Sequence, residues 1–365
     1  MNNKKIHVAI VFNEPTLTTE DGVKYISENG AIHGSATKAE VLQASVQEQI
    51  DLSEVGVLEE RESVQKALQA AGYRCSLFNM NGDVRRLFDF LDEKRPDVIF
   101  NLCESVGNES IHEMHVAGLY ELMGIPYTGA SAFVLGSCLS KVRTKEVLRS
   151  HGLPVPRFQV FRNVTSIGAD DVQVPFPAIV KPSQEDASLG IESDSIVDNL
   201  AALKKKVRRI FQTYDQPALV EEYIDGREIN VAIIGNKRPI PLPISEIDFG
   251  KLPSDYPKIV TYRAKWIQGS VEYDGTVGVC PAPLAPEVEK NVRELALKAY
   301  RVMGCRDYAR IDMRLDKDNN PFIIEVNPNP DISDDAGFAR SARAYGMTFE
   351  QTISKIVEYA LERMP

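Results

Sequence analysis

The sequence predicts an α/β (α+β) protein, with an N-terminal βαβ unit followed by two mixed regions. Apolar, strand-like runs near residues 6–12, 74–78 and 98–102 alternate with helical stretches. Further along, helices show apolar residues at 3.6-residue spacing with capping residues at their ends. Near the C-terminus, two alternating runs separated by turn formers read as a hairpin.

The first strand, Ile6-His-Val-Ala-Ile-Val-Phe12, leads into a polar stretch from Asn13 to about Ser53. That is long for a loop and is expected to be an insertion or lid. Val57, Val64, Leu68 and Ala71 then recur at helical spacing and stop at Gly72. Strands follow at Arg74–Phe78 and Val98–Leu102 with a helix between them, and Ile125-Pro-Tyr-Thr-Gly129 closes the first region. Ser140 can cap a helix carrying Val142, Val147 and Leu148, ended by Gly152 and Pro154. From near Pro156, strand candidates lie at Ala178–Lys181 and Ala218–Ile224. Beyond about Ile259 comes the helix Pro286–Met303, with Val288, Val292, Leu295, Ala299 and Val302 on one side. The last helix opens with a capping box, Thr348-Phe-Glu-Gln351, and buries Ile353, Ile356, Val357, Ala360 and Leu361.

The hairpin carries the chemistry. In Tyr308-Ala-Arg-Ile-Asp-Met-Arg-Leu315, alternation puts Ala309, Ile311, Met313 and Leu315 on an apolar face. Tyr308, Arg310, Asp312 and Arg314 form the polar face. In Phe322-Ile-Ile-Glu-Val-Asn-Pro328, Phe322, Ile324 and Val326 are expected in the core, with Ile323, Glu325 and Asn327 opposite. If the turn tip is Asp318-Asn319, Asp312 faces Glu325 directly. Two facing carboxylates repel, and Asn327 adds a third oxygen on the same face. So few hard oxygen ligands suit Mg²⁺ (or Mn²⁺) that shares its remaining positions with phosphates and water.

At 365 residues the chain is long enough for two or three domains. A net charge of −10 argues against a general nucleic-acid binder. No apolar stretch approaches a membrane span, and Met1-Asn-Asn-Lys-Lys leads directly into a strand, unlike a signal peptide. A cytoplasmic protein with no membrane partner is therefore expected. Cys75, Cys103, Cys138, Cys280 and Cys305 are scattered and odd in number, so they read as buried reduced thiols.

Three further stretches suit a nucleotide. Lys181 ends the apolar strand Ala178-Ile-Val-Lys, and its compact charge suits a phosphate. Gln184-Glu-Asp-Ala-Ser-Leu-Gly190 could close over phosphates with backbone N–H groups. Leu219-Val-Glu-Glu-Tyr-Ile-Asp-Gly-Arg-Glu228 could offer backbone edges to an adenine and Glu228 to ribose hydroxyls.

Taken in order, these stretches resemble the ATP-grasp superfamily, and within it the D-alanine–D-alanine ligase family. The resemblance runs from about Val57 to the C-terminus. It is densest in Tyr120-Glu-Leu-Met-Gly-Ile-Pro-Tyr-Thr-Gly129, Ser140-Lys-Val-Arg-Thr-Lys145, Ile179-Val-Lys-Pro182, Val220–Glu228, Gly304–Asp312 and Ile324-Glu-Val-Asn327. It implies an N-terminal βαβ domain at 1–140 holding the insertion, a central ATP-grasp subdomain at 141–228, and a C-terminal one at 229–365. Lys141 and Lys181 match the family's phosphate-binding lysines, and Glu185 and Ser188 fall in the loop covering the phosphates. Glu221, Glu222, Tyr223 and Ile224 match the adenine-edge stretch, and Glu228 the ribose ligand. Lys265 matches a lysine reaching the terminal phosphate. Asp312, Glu325 and Asn327 match the Mg²⁺ ligands, and Arg310 the arginine that stabilises the oxyanion. Glu60 matches a glutamate near the first substrate's amino group.

The substrate end departs from the family pattern. Ala187 stands where a serine would bridge to the first D-alanine, and Trp266 replaces a tyrosine after the phosphate lysine. Leu102-Cys-Glu-Ser-Val-Gly107 replaces a His-Gly segment. Asp331, Asp334 and Asp335 lie where the second D-alanine's carboxylate would be held, a sign of charge suited to a cationic acceptor. The resemblance thus implies an ATP-dependent carboxylate–amine ligase that makes an amide or peptide bond through an acyl phosphate. Its partners would be small carboxylates and amines, amino acids or peptides, with a homodimer left open. The alternatives are a true D-alanine–D-alanine ligase and, in another class, a non-catalytic ATP-binding regulator.

Overall fold

A computed structural model describes residues 5–13, 16–19, 22–25, 52–80, 82–107, 109–163 and 167–363. Strand β1 (His7–Phe12) is apolar and buried on both faces. Most of the expected insertion at 13–53 lies outside the described residues; within it, β2 (Thr16–Thr19) and β3 (Gly22–Tyr25) pair antiparallel. Helix α1 (Leu52–Ala70) buries Val57, Val64 and Leu68, and Gly72 follows with φ +92°. Ala71, expected to complete that buried stripe, falls just past the helix and is exposed. β4 (Arg74–Asn79) and β5 (Val98–Leu102) flank β1, both parallel to it, joined by α2 (Val84–Lys94). Such parallel strands need apolar cover on both sides. Val8, Ile10 and Phe12 share a core with α1, while Ala9 and Val11 share one with Leu87, Val116 and Tyr120.

Helices α3 (His112–Met123), α4 (Ala132–Leu139) and α5 (Lys141–Ser150) follow. Ser140 caps α5, its Oγ accepting from Arg143 N at 3.4 Å. A second sheet is antiparallel, in the order β6 (Phe158–Phe161), β9 (Ala218–Glu222), β7 (Ala178–Pro182), β8 (Ile196–Val197). Helix α6 (Leu200–Tyr214) covers one face, burying Leu203, Val207 and Ile210 against Val180 and Val220. The strand expected to reach Ile224 stops at Glu222, because the chain turns at Asp225-Gly226. Only glycine fits there: φ is +156° and an added Cβ would sit 2.0 Å from the Leu315 carbonyl oxygen.

The largest sheet contains β10 (Arg227–Ile234), β11 (Ile240–Pro241), β12 (Ser245–Asp248), β13 (Val277–Val279), β14 (Tyr308–Leu315) and β15 (Pro321–Asn327). Its order is β13-β12-β10-β14-β15, with β11 on β10. Short helices α7 (Tyr262–Trp266) and α8 (Val271–Gly275) precede α9 (Pro286–Met303). Ile229, Val231, Ala309, Ile311 and Met313 share a core with Val292 and Ala296 of α9. Helices α10 (Gly337–Tyr345) and α11 (Phe349–Leu361) complete the chain, α11 opening with the capping box at Thr348 and Gln351.

The hairpin register agrees with the expected pairing of Asp312 with Glu325, but Met313 then pairs with Ile323. Ile324 is therefore a bulge residue. The expected core assignment is corrected accordingly: Ile323 and Val326 are buried, while Phe322 and Ile324 are only half-buried. One extra residue reverses the alternation on one side of it. Among the cysteines, Cys103, Cys138 and Cys305 are buried, whereas Cys75 and Cys280 are half-buried, and none of the five is in a disulfide. Among the described residues no helix is long and apolar enough to cross a membrane.

Candidate active site

Alternation on β10, β14 and β15 puts Glu228, Asn230, Arg310, Asp312, Arg314, Glu325 and Asn327 on the polar face of the largest sheet. The facing acids Asp312 and Glu325 have different partners. Arg310 grips Asp312 with two parallel hydrogen bonds, Nε to Oδ1 at 2.7 Å and Nη2 to Oδ2 at 2.8 Å. Lys141, from the first turn of α5, pairs with Glu325 and lies 3.3 Å from Asp186 Oδ1. Burial alone would raise the Glu325 carboxyl, but Lys141 and Lys181 outweigh it and bring it down to about 2. Burial likewise opposes the charge on Lys141, yet Glu325 and Asp186 hold its ammonium above the usual range. Asn327 pairs across the hairpin with Arg310, and its Oδ1 accepts from Asn329 N at 3.2 Å.

Lys181, at the end of β7, faces Glu221 on neighbouring β9, with Nζ 2.5 Å from Oε2. Lys145 pairs with the other oxygen of Glu221 and donates to the Ile324 carbonyl at 3.0 Å. Burial, with Lys181 nearby, lowers the Lys145 ammonium to about 8 despite Glu221. The Glu221 carboxylate is thus held between two lysines. Lys265, on α7, sits in the field of Arg310, Glu325 and Asp312, and among the described residues its ammonium has no ion pair. Burial and then Arg310 push it down.

Arg314 organises the opposite end. It is 4 % exposed, donates to the Ile224 carbonyl at 2.6 Å and the Glu228 carboxylate at 2.8 Å, and lies 5.1 Å over the Tyr223 ring. It also donates to the carbonyls of Gly226 and Lys258. Burial raises the Glu228 carboxyl, with Arg314 opposing and Asp312 adding to the rise. Glu222 is half-exposed at the strand end, its N–H donating to the Arg157 carbonyl at 2.8 Å. Tyr223 N–H donates to the Pro177 carbonyl at 3.1 Å, and Ile224 N–H has no such bond among the described residues.

In the loop between β7 and β8, Ala187 (φ +53°) and Ser188 (φ +64°) are consecutive left-handed residues, each without the glycine that usually relieves that conformation. Trp266 Nε1 donates to the Ala187 carbonyl at 3.1 Å, tying α7 to this loop. Glu185 accepts from Gln216 Nε2 at 2.7 Å. Asp186, its neighbour, is the loop acid that reaches Lys141.

Glu60 is 6 % exposed and accepts from Ile332 N at 3.1 Å. Burial, then Asp331 and Glu104, raise its carboxyl well above the usual range. Glu113, which accepts from Asn329 Nδ2 at 2.9 Å, is raised by burial and then by Glu104. The expected acid trio separates. All three are exposed, but Asp331 acts on Glu60, Arg310 and Lys265, whereas Asp334 pairs with Arg343 at 2.6 Å.

Sequence reading missed Lys145, Arg314, Asp186, Glu104 and Glu113. Lys145 stands four residues after Lys141, hence on the same face of α5, a signal that could have found it. Arg314 shares the alternating face of Arg310 and Asp312.

A family model described as D-ala D-ala ligase C-terminus matches residues 147–358. The chain belongs to the D-alanine–D-alanine ligase-like ATP-grasp family. It is an ATP-dependent ligase of that kind. It is 35 % identical over 309 residues to the uncharacterized protein y4sG of Sinorhizobium fredii, covering 83 % of this chain and 87 % of that one. A D-alanine–D-alanine ligase of Cupriavidus necator is 32 % identical over 246 residues, covering 67 % of this chain and 71 % of its own. In fold, the ATP complex of the Bacillus anthracis D-alanine–D-alanine ligase superposes with a TM-score of 0.69 at 21 % identity, covering 98 % of each chain.

Proposed function

We propose that this ligase joins a carboxylate to an amine through an acyl phosphate, and that its substrates are amino acids or peptides other than a D-alanine pair. The observation that carries the reading is the pairing of Asp312 and Glu325 on one sheet face, with Arg310, Lys141 and Lys265 beside them. Phosphoryl transfer is mostly positioning and charge neutralisation, and these are the groups it needs.

The donor set fits Mg²⁺ (or Mn²⁺). Asp312, Glu325 and Asn327 are hard oxygen donors on adjacent strands. Among the described residues no group of three His, Cys, Asp or Glu side chains could hold a metal by itself. A cation here would therefore complete its shell with phosphate and water. When bound, it would screen the charge of the triphosphate.

Lys141, Lys181 and Lys265 would hold the phosphates beneath the loop carrying Glu185 and Ser188. Ile224 N–H would read the adenine edge beside Glu221, Glu222 and Tyr223, and Glu228, fixed by Arg314, the ribose. A carboxylate oxygen attacks the γ-phosphorus, the bond to the β-phosphate oxygen breaks, and ADP leaves. The amine then attacks the acyl carbon, inorganic phosphate leaves, and the amine's proton is lost. Arg310 would balance the oxyanion of that second step. Glu60, with Asp331, would face a substrate ammonium. We place the domain limits near 140, ahead of α5, and near 228, at the start of β10.

The test is a pooled screen of carboxylates and amines read by phosphate release, followed by an ¹⁸O experiment. Label in the substrate carboxylate should appear in the released phosphate. Phosphate free of label would contradict the acyl phosphate, and no release with any pool would favour a nucleotide-binding regulator.

A further inference from the structure

We propose that Lys145 is a positioning residue for nucleotide binding: it neutralises Glu221, so that Lys181 keeps its charge for the triphosphate. This rests on the reading that Lys181 faces ATP phosphates. The Lys145 side chain is 1 % exposed and cannot touch a substrate. Its ammonium pairs with Glu221 Oε1, while Glu221 Oε2 lies 2.5 Å from Lys181 Nζ. Two cations and one anion leave one positive charge in the group. Without Lys145, the carboxylate would be matched by Lys181 alone, and the group would be neutral toward an incoming triphosphate.

The burial of all three makes this matter. Glu221 and Lys181 have side chains 2 % and 8 % exposed, so their charges are poorly screened by water or salt. Removing Lys145 would tighten the grip of Glu221 on Lys181 and turn that lysine away from its ligand.

The same ammonium has a second task. It donates to the carbonyl of Ile324, the bulge residue immediately before Glu325. One cation thus joins α5, the second sheet and the hairpin that carries the carboxylates. A bulge re-aims the residues beside it, and Lys145 pins this one from the side of α5.

The test measures binding of a nonhydrolysable ATP analogue with Mg²⁺ to the full chain by calorimetry, together with kcat and KM for ATP. Lys145→Met should weaken nucleotide binding about tenfold and raise KM for ATP more than it lowers kcat. Glu221→Gln alone is the reference for the double variant, since Glu221 also borders the adenine edge. The double variant Lys145→Met/Glu221→Gln should bind more tightly than Lys145→Met and as well as Glu221→Gln alone, because Lys181 is again unopposed. A purely structural role for Lys145 predicts no recovery. A double variant as weak as Lys145→Met, or weaker, would overturn the proposal.

If Lys145→Met does not fold, the test passes to Lys145→Arg. It keeps the charge and should bind nucleotide nearly as the unmodified protein does. A tenfold loss of affinity in Lys145→Arg would overturn the proposal. An unmodified protein that binds no nucleotide would overturn the ATP reading and this proposal together. Normal binding without recovery in the double variant would overturn this proposal alone.

Discussion

Asp312 on β14 lies directly opposite Glu325 on β15, and each carboxylate is held by a different cation, Arg310 for the first and Lys141 for the second. Facing acids of this kind repel unless positive charge separates them. In the proposed complex Asp312, Glu325 and Asn327 would hold Mg²⁺, which would supply positive charge between the two carboxylates.

Glu325→Gln keeps the shape and a hydrogen-bond acceptor for Lys141 but removes the charge. We expect kcat/KM to fall about 100-fold or more, on the scale of the several kcal/mol that a metal ion supplies to charge stabilisation. The circular dichroism spectrum should be unchanged. Undiminished activity at saturating Mg²⁺ would remove the hairpin as the metal site.

Arg310→Lys keeps the positive charge and loses the planar fork that grips Asp312. A fall of about 100-fold in kcat is expected, by analogy with loss of an oxyanion donor, with little change in nucleotide affinity. Weaker nucleotide binding with normal kcat would reassign Arg310 to the phosphates.

Arg314→Met should leave the largely buried Glu228 without its partner, its carboxyl pushed still higher by burial, and leave the Ile224 and Gly226 carbonyls without their donor. Breaking a buried pair in this way costs about 3 kcal/mol or more. Urea unfolding should show that loss as a lower midpoint with an unchanged slope. A midpoint equal to that of the unmodified protein would mean that Arg314 contributes nothing to stability.

The hairpin was legible in the sequence because strand alternation and four turn formers between Asp316 and Asn320 fix the pairing of Asp312 with Glu325. The bulge at Ile324 was not, since one apolar residue inserted among others leaves no compositional trace. The capped helices were legible for the same local reason: Ser140 and Thr348 act within one turn of where they stand. Glu221 shows the limit. Its position on a strand was readable, but the two lysines that hold its carboxylate come from α5 and β7, and only the packing of those elements brings them together. The raised carboxyls of Glu60 and Glu113 also depend on burial and on Glu104, which lies far from Glu60 in the chain.

Glu60 predicts a pH effect of definite sign. Its folded-state pKa is raised above the ordinary 4.5 by burial, then by Asp331 and Glu104. Between those two values the folded protein holds a proton that the unfolded chain has lost, so stability falls as pH rises through that window. Glu60→Gln removes the effect and keeps an acceptor for Ile332 N. Thermal unfolding should show Glu60→Gln melting above the unmodified protein at pH 7, with the gap closing below pH 4.5. A gap independent of pH would mean that Glu60 ionises normally.

Product analysis with D-alanine tests the central claim most directly. Ala187 and Trp266 remove polar contacts expected for a D-alanine pair, and losses of that kind discriminate strongly between substrates. In the proposed site the acids Glu60 and Asp331 would favour a substrate ammonium beside them. With ATP, Mg²⁺ and D-alanine alone, mass spectrometry should detect little or no dipeptide and phosphate release should stay at background. Another carboxylate–amine pair should give an amide with one ADP and one phosphate for each bond formed. Efficient, saturable formation of D-alanyl-D-alanine by the unmodified protein would contradict the account and make the chain a D-alanine–D-alanine ligase in its own right.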